Sequence, residues 1–287
     1  MSSTPGSLRG KTFVVTGANQ GLGFESSRTF VRGGGDLVMV CRSREKGEAA
    51  RSALEAEATG GTVRLFLADV ALKSECRRVC SEIVASTPRV DVLLNNAGVL
   101  ATSHRKTSEG HEQTFATNHL GYYGMAIGLL PRLRDTPGAR VVNVASIAHT
   151  GAKVDWQDLE LETGFSPWRA YANSKLFNIL FTHELAKRVG GMDITANCLH
   201  PGVVATGFAR TDGGLTALLV RLAAPFLTAP EDGAKTSIFL CTSPEVASVT
   251  GEYFAACKPS RSRRMARSDE LAARLWAASE RATGLTI

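Results

Sequence analysis

From Thr12 onward, short runs of β-branched and apolar residues alternate with longer stretches of helical periodicity, and the alternation hardly stops before the C-terminus. Strands separated each time by a helix are the signature of a parallel sheet covered on both faces. Strands are expected near 12–16, 37–41, 63–67, 90–95, 139–145, 193–199 and 251–254, with helices near 21–32, 44–58, 73–87, 108–133, 170–189, 230–242 and 269–282. The chain of 287 residues is long enough for two domains. No Pro/Ser/Gly-rich linker divides it, so a single doubly wound α/β domain of Rossmann type is expected over 1–287. Its sheet should have mostly seven parallel strands, with helices on both faces and a C-terminal helical extension from about 256.

Composition narrows the class. Apolar residues make up 44% and charged residues 21%, which excludes disordered, collagen-like and fibrous chains. The net charge of +6 invites a polyanionic partner. Five of those six charges, however, sit together in Lys258, Arg261, Arg263, Arg264 and Arg267, with no aromatic platform or recognition motif beside them, so no nucleic-acid partner is expected. Six scattered cysteines show no CxxC and no histidine pair at ligand spacing. The reading is no metal site and free thiols in a reducing, cytoplasmic compartment, with Cys76 and Cys80 a half-buried pair one helical turn apart. Residues 1–11 carry no apolar core of a signal peptide, and no run reaches the roughly 18 apolar residues of a membrane span. The nearest, 215–229, is broken by Arg221 and Pro225.

The chemistry begins where the first strand meets the first helix, in Thr16-Gly17-Ala18-Asn19-Gln20-Gly21-Leu22-Gly23. Glycines there permit a tight turn and close backbone approach, and a helix N-terminus offers unpaired N–H groups to a pyrophosphate. At the end of the second strand, NAD-binding folds usually place an acid on the ribose 2′-hydroxyl. Here the chain reads Val40-Cys41-Arg42-Ser43-Arg44. With no carboxylate to repel a 2′-phosphate and a guanidinium in Arg42 able to grip one, NADP(H) is the expected cofactor.

Tyr171 and Lys175 stand four apart on one helix, which puts them on one face. A phenol with a pKa near 10 is a poor base at neutral pH, and a neighbouring ammonium would favour its phenolate. Ser146 follows the strand 139–145, at the C-terminal edge of the sheet where such folds bind ligands. Asn95-Asn96-Ala97-Gly98 ends the fourth strand in the same way, and Asn118 falls inside the next helix. Between Gly202 and Pro230, glycines followed by Leu215, Leu218, Leu219, Val220, Phe226 and Leu227 suggest an apolar lid over about 203–229, suited to a lipophilic substrate. The same leucines could equally pack on the core or on a second subunit, giving a homo-oligomer.

The ordered set TGANQGLG, Asp69-Val70, NNAG, Asn118, Ser146, YANSK and Pro201-Gly202 resembles the short-chain dehydrogenase/reductase family over nearly the whole chain. The stretches VCRSREKGE, YANSKLFNILFTHELAKRV and LHPGVVATGF, and the closing segment from Gly251, resemble its retinol dehydrogenase-like branch. The resemblance implies Tyr171 as acid/base, Lys175 as the residue that lowers its pKa and holds the nicotinamide ribose, Ser146 on the substrate oxygen, and Asn118 positioning a relay water. It likewise implies cofactor contacts at Gly17, Asn19, Gln20, Gly21, Leu22, Gly23 and Arg42. Asp69 and Val70 would lie on the adenine side, Asn96, Ala97 and Gly98 around the adenine ribose, and Pro201, Gly202, Val204 and Thr206 along the nicotinamide half. Ala145 replaces a common second serine. Gly207-Phe208 departs from the family's pattern within the substrate loop, which touches substrate identity rather than chemistry. His149 and His200 read as packing residues. The expected function is NADP(H)-dependent hydride transfer on a lipophilic alcohol, aldehyde or ketone; the alternative is a non-catalytic NADP(H)-binding sensor or scaffold of the same fold.

Overall fold

The strands are apolar on both sides of their pleat, and the chain packs accordingly. In the computed structural model, which describes residues 7–202 and 229–287, Phe13 and Val15 of the first strand enter one hydrophobic layer while Val14 enters the opposite one. Alternate side chains of a strand point to opposite faces, so a strand with no polar face must be covered twice. One layer holds α1 (Gly21–Arg32), α2 (Arg44–Glu55) and α8 (Pro230–Thr242) against the sheet. The other holds α3 (Lys73–Ser86), α5 (Gly121–Gly128) and α7 (Pro167–Arg188). A third cluster lies under the C-terminal helix α9 (Asp269–Thr283), where Ala272 and Leu275 meet Phe115, Phe177 and Leu180.

The sheet is built from β1 (Thr12–Thr16), β2 (Asp36–Cys41), β3 (Val63–Leu67), β4 (Val92–Asn95), β5 (Ala139–Val144), β6 (Ile194–His200), β7 (Tyr253–Ala255) and β8 (Lys258–Pro259), in the order 3-2-1-4-5-6-7-8. The first seven are parallel. The winding reverses between β1 and β4, which opens a crevice at their C-terminal ends, the usual ligand position in such sheets.

The seven parallel strands are as expected, with one addition to the sheet, and two other expectations are corrected. An eighth strand exists: β8 turns back antiparallel on β7 through Ala256 and Cys257, both at positive φ (50° and 60°). Hairpin turns of this kind normally advertise themselves with Asn or Gly, and this one carries neither. The single helix over 108–133 is broken into α4 (Gln113–Phe115), a π-helical turn Ala116–Leu120, then α5 and α6 (Leu130–Arg134). It starts late because the Glu112 carboxylate caps the N–H groups of Thr114 and Phe115 at 2.8 and 2.7 Å. It breaks again before Pro131, which has no N–H to continue the ladder. Finally, Cys76 and Cys80 are fully buried, not half-buried, in the layer between α3 and α5. The proposed lid over 203–229, with Val204 and Thr206, lies outside the described residues save for Ala229. Among the described residues no helix is long and apolar enough to cross a membrane.

Candidate active site

The end of β1 is locked to the end of β4 before any ligand is considered. Thr16 Oγ1 accepts the backbone N–H groups of Asn96 (2.9 Å) and Ala97 (3.1 Å), and Asn96 Nδ2 donates to the carbonyls of Thr16 (3.0 Å) and Gly17 (3.3 Å). Thr16 was not singled out from sequence, although it immediately precedes the glycine turn. Asn96, expected to contact the adenine ribose, spends its side chain on shaping that turn. Gly17 takes φ +66° and Gly21 +56°. Gly23 admits no side chain at all, since a Cβ there would fall 2.4 Å from the Gly17 carbonyl oxygen and 2.5 Å from Asn96 Nδ2. The first turn of α1 has no side-chain cap from Gln20. Its free N–H groups therefore face the space above the glycines, which is the requirement for receiving a pyrophosphate. Leu22 is buried beneath this turn, and Asn19 is half-buried in it.

At the end of β2, the Cys41 thiol accepts from the backbone of Ala18 and Asn19, which ties the turn to the second strand. Burial nevertheless pushes this thiol up to about 11. Arg42 is exposed and lies 3.7 Å from the Asp69 carboxylate. Such a solvent-facing pair is worth little, so the guanidinium remains available to a phosphate. Val70 is buried, its carbonyl against Gly121. Gly98 follows Ala97 beyond the end of β4. Pro201 and Gly202 leave β6 half-buried, Gly202 at φ +86°. A glycine turn without room for a Cβ, an uncapped helix end and an exposed arginine in a weak surface pair together fit a dinucleotide phosphate.

The proton-handling groups converge beyond β5. Ser146 caps a 3₁₀ turn, Ile147–Gly151, its Oγ accepting from Ala148 N at 3.2 Å, and its hydroxyl is bonded to the Tyr171 phenol. Tyr171 lies in the second turn of α7, which begins at Pro167, three residues before the expected start at 170. Proline at a first helical position is a recognised start signal that the sequence reading passed over. Lys175 is 3% exposed; its Nζ donates to the Val144 carbonyl at 2.9 Å and stands 5.6 Å from the Tyr171 ring and 5.8 Å from the Tyr122 ring.

Burial controls the charges here. It raises the Tyr171 phenol above its ordinary value, opposed by the Ser146 hydrogen bond. It also lowers Lys175 to about 7. The expected depression of the tyrosine by a lysine charge is not among the effects that set it: burial raises it and the Ser146 hydrogen bond lowers it. Asn118 sits in the π-helical turn with both amide N–H groups spent, on the Val99 carbonyl (2.9 Å) and Ser174 Oγ (3.0 Å), while its Oδ1 accepts from Val99 N at 2.8 Å. Ser174 in turn donates to the Tyr171 carbonyl at 2.8 Å. The asparagine thus fastens the loop after β4 to the tyrosine-bearing helix.

His149 is buried, with Nδ1 2.7 Å from the Ser146 carbonyl and Nε2 accepting from Arg263 N at 3.2 Å. It supports the 3₁₀ turn from behind, as expected of a packing residue. Arg263 continues the clamp to the carbonyls of Thr150 (3.1 Å) and Ala152 (2.8 Å), so one member of the basic segment is a structural tie. Two apolar side chains at the mouth escaped the sequence reading. Ile147, next to Ser146, is 49% exposed, and Trp168, whose ring lies 6.2 Å from that of Tyr171, is 57% exposed.

The chain matches the short chain dehydrogenase family model over residues 11–213. It is 37% identical to human retinol dehydrogenase 13 over 284 residues, covering 97% of this chain and 86% of the relative. An uncharacterized protein from Mycobacterium paratuberculosis superposes with a TM-score of 0.80 at 30% identity, covering 99% of this chain and 97% of the other. A short-chain dehydrogenase from Burkholderia cenocepacia, solved in complex with NADP, superposes with a TM-score of 0.70 at 25% identity, covering 86% and 96%.

Proposed function

This chain belongs to the short-chain dehydrogenase/reductase family, as a retinol dehydrogenase-like member, and from that premise we propose that it is an NADP(H)-dependent oxidoreductase acting on a lipophilic alcohol, aldehyde or ketone. The observation that carries this reading is the convergence of Ser146, Tyr171 and Lys175 at the strand ends beside the glycine turn.

Gly17, Gly21 and Gly23, with the N–H groups of the α1 first turn, would hold the pyrophosphate, and Arg42 the 2′-phosphate. Pro201, Gly202 and Lys175 would border the nicotinamide half. The nicotinamide supplies hydride chemistry when bound. Everything else falls to the protein. Ser146 and Tyr171 both bond the reacting oxygen, and Tyr171 takes the alcohol proton in oxidation or returns it to the carbonyl in reduction. Lys175, when charged, favours the phenolate and so opposes the effect of burial. Ile147 and Trp168 present apolar surface to the rest of the substrate, in keeping with the alcohol in the human relative's name. The single domain, the apolar lid over 203–229 and a cytoplasmic setting, to which six unpaired cysteines are suited, belong to the same proposal.

The test is NADPH oxidation across retinal-like aldehydes, steroids, aromatic ketones and simple carbonyls, with Tyr171→Phe alongside. Turnover should fall by about two or more orders of magnitude in the variant, the usual worth of general acid–base catalysis. A variant that turns over like the wild type removes Tyr171 from the mechanism. NADPH binding with no turnover of any carbonyl in the panel would favour the non-catalytic alternative.

A further inference from the structure

The C-terminal helix reaches the centre of the site through a buried polar chain that the acid/base reading leaves unused. The Val144 carbonyl, which holds Lys175 Nζ at 2.9 Å, also accepts from Asn178 Nδ2 at 3.2 Å. Asn178 lies one turn after Lys175 on α7 and faces the ring of His119 in the π-helical turn. The other side of that ring reaches α9, with Nε2 2.7 Å from Ser279 Oγ. All three side chains are 0% exposed, and the imidazole is enclosed by the rings of Phe115, Phe177 and Phe181 at 5.4, 5.6 and 6.0 Å.

A buried imidazole is costly unless both nitrogens are bonded, and an apolar side chain would fill this aromatic box without that cost. Asn178 Oδ1 and His119 Nδ1 are both buried without a hydrogen bond of good geometry. The Ser279 hydroxyl has one hydrogen and two acceptors in reach, His119 Nε2 at 2.7 Å and the Leu275 carbonyl at 2.9 Å; with it on Nε2, the tautomer carrying hydrogen on Nδ1 directs that hydrogen to Asn178 Oδ1 and satisfies both buried atoms. Burial holds the ring neutral by lowering it to about 3. With its oxygen fixed on the histidine, the Asn178 amide can turn only its nitrogen toward Val144.

We infer that Ser279 and His119 are positioning residues for Lys175, locking the Asn178 amide on the carbonyl that the lysine shares, so that the docked C-terminal helix sets where the ammonium rests. This inference rests on the reading of Tyr171 and Lys175 as the proton-handling pair. The docking itself is firm. Trp276 wedges against Tyr123 (5.0 Å) and Phe181 (5.9 Å), Tyr123 donates to the Leu285 carbonyl at 2.9 Å, and Arg77 donates to the Thr283 carbonyl at 2.7 Å. The titratable groups facing the Lys175 ammonium among the described residues are Tyr171 on its own helix and Tyr122 on α5.

The full chain is assayed with its best alcohol from the substrate panel, as wild type, Ser279→Ala, Ser279→Thr and Tyr171→Phe. Ser279→Ala should lower kcat between about 2- and 30-fold, the range of coupling through packed networks, with KM within about two-fold. The acid limb of kcat against pH should move to higher pH, because a displaced ammonium supports the Tyr171 phenolate less. Ser279→Thr, which keeps the hydroxyl, should return both. Wild-type kcat and pH profile in Ser279→Ala overturn the inference whatever happens to its melting temperature, as does a folded Ser279→Thr that restores neither. Should Ser279→Ala fail to fold, His119→Gln is read by the same two criteria. Activity surviving in Tyr171→Phe strikes instead at the acid/base reading itself.

Discussion

Lys175 is buried with nothing but a carbonyl and two rings around its ammonium, and the cost can be measured by removing its charge. Its ordinary value of 10.5 falls to about 7 through desolvation alone. At about 1.36 kcal/mol per tenfold change in proton affinity, the native state forfeits about 5 kcal/mol wherever the lysine is protonated in both states, that is, below pH 7. Between pH 7 and 10.5 the folded protein has released this proton while the unfolded chain still holds it, so stability should climb with pH across that window. Above 10.5 the difference vanishes.

Lys175→Met keeps the length of the stem and removes the charge. It also removes the hydrogen bond to Val144, worth about 1.5–3 kcal/mol for a charged donor. The net expectation is a variant about 2–3 kcal/mol more stable than wild type at pH 6, or about 5–10 °C in Tm for a domain of this size. The gap should close by about pH 9 and then reverse, as the charge penalty fades and the lost hydrogen bond remains. The assay is thermal or urea unfolding of both ligand-free proteins from pH 5.5 to 10, compared as a difference so that other titrating groups cancel. Wild-type and variant curves running parallel over that range would refute the burial argument. Catalytic turnover should be lost in the same variant, so the stability gained is stability the active enzyme gives up for its charge.

Other perturbations separate the parts of the site. Gly23→Ala forces a Cβ to within 2.4 Å of the Gly17 carbonyl. It should weaken NADPH binding by about tenfold or more, since overpacking of this kind costs about 1–3 kcal/mol. Gly191→Ala, where nothing lies within 4 Å, is the control, and equal dissociation constants by fluorescence titration would contradict the cradle. Arg42→Ala should raise KM for NADPH about tenfold, as expected for loss of one charged hydrogen-bonding partner, while leaving KM for NADH within about two-fold; equal changes for the two cofactors would remove the arginine from 2′-phosphate recognition. Trp168→Ala, at 57% exposure beside Tyr171, should raise KM for bulky apolar carbonyls several-fold, about 1 kcal/mol of lost apolar contact, and spare small aldehydes. Unchanged KM across that series would place the ring outside the substrate path.

What the sequence determined by itself is whatever is written in local period and spacing. The alternation of buried strands with helices specifies a doubly wound sheet, because a strand apolar on both faces has only one kind of environment to enter. Gly17, Gly21 and Gly23 specify the tight turn between β1 and α1, the first two by positive φ and the third by leaving no room for a Cβ, and the four-residue spacing of Tyr171 and Lys175 places them together on any helix. Tertiary structure alone decided what depends on distant partners. In the π-helical turn after Phe115, Asn118 bonds a loop 19 residues earlier, and the hairpin of β8 forms on two residues with no turn signature. The protonation states are likewise tertiary. A lysine near 7 and a histidine near 3 are consequences of desolvation, and desolvation is a property of the closed core. The same holds for the link from Ser279 to Lys175, which joins residues about a hundred positions apart and exists only because α9 packs across α7.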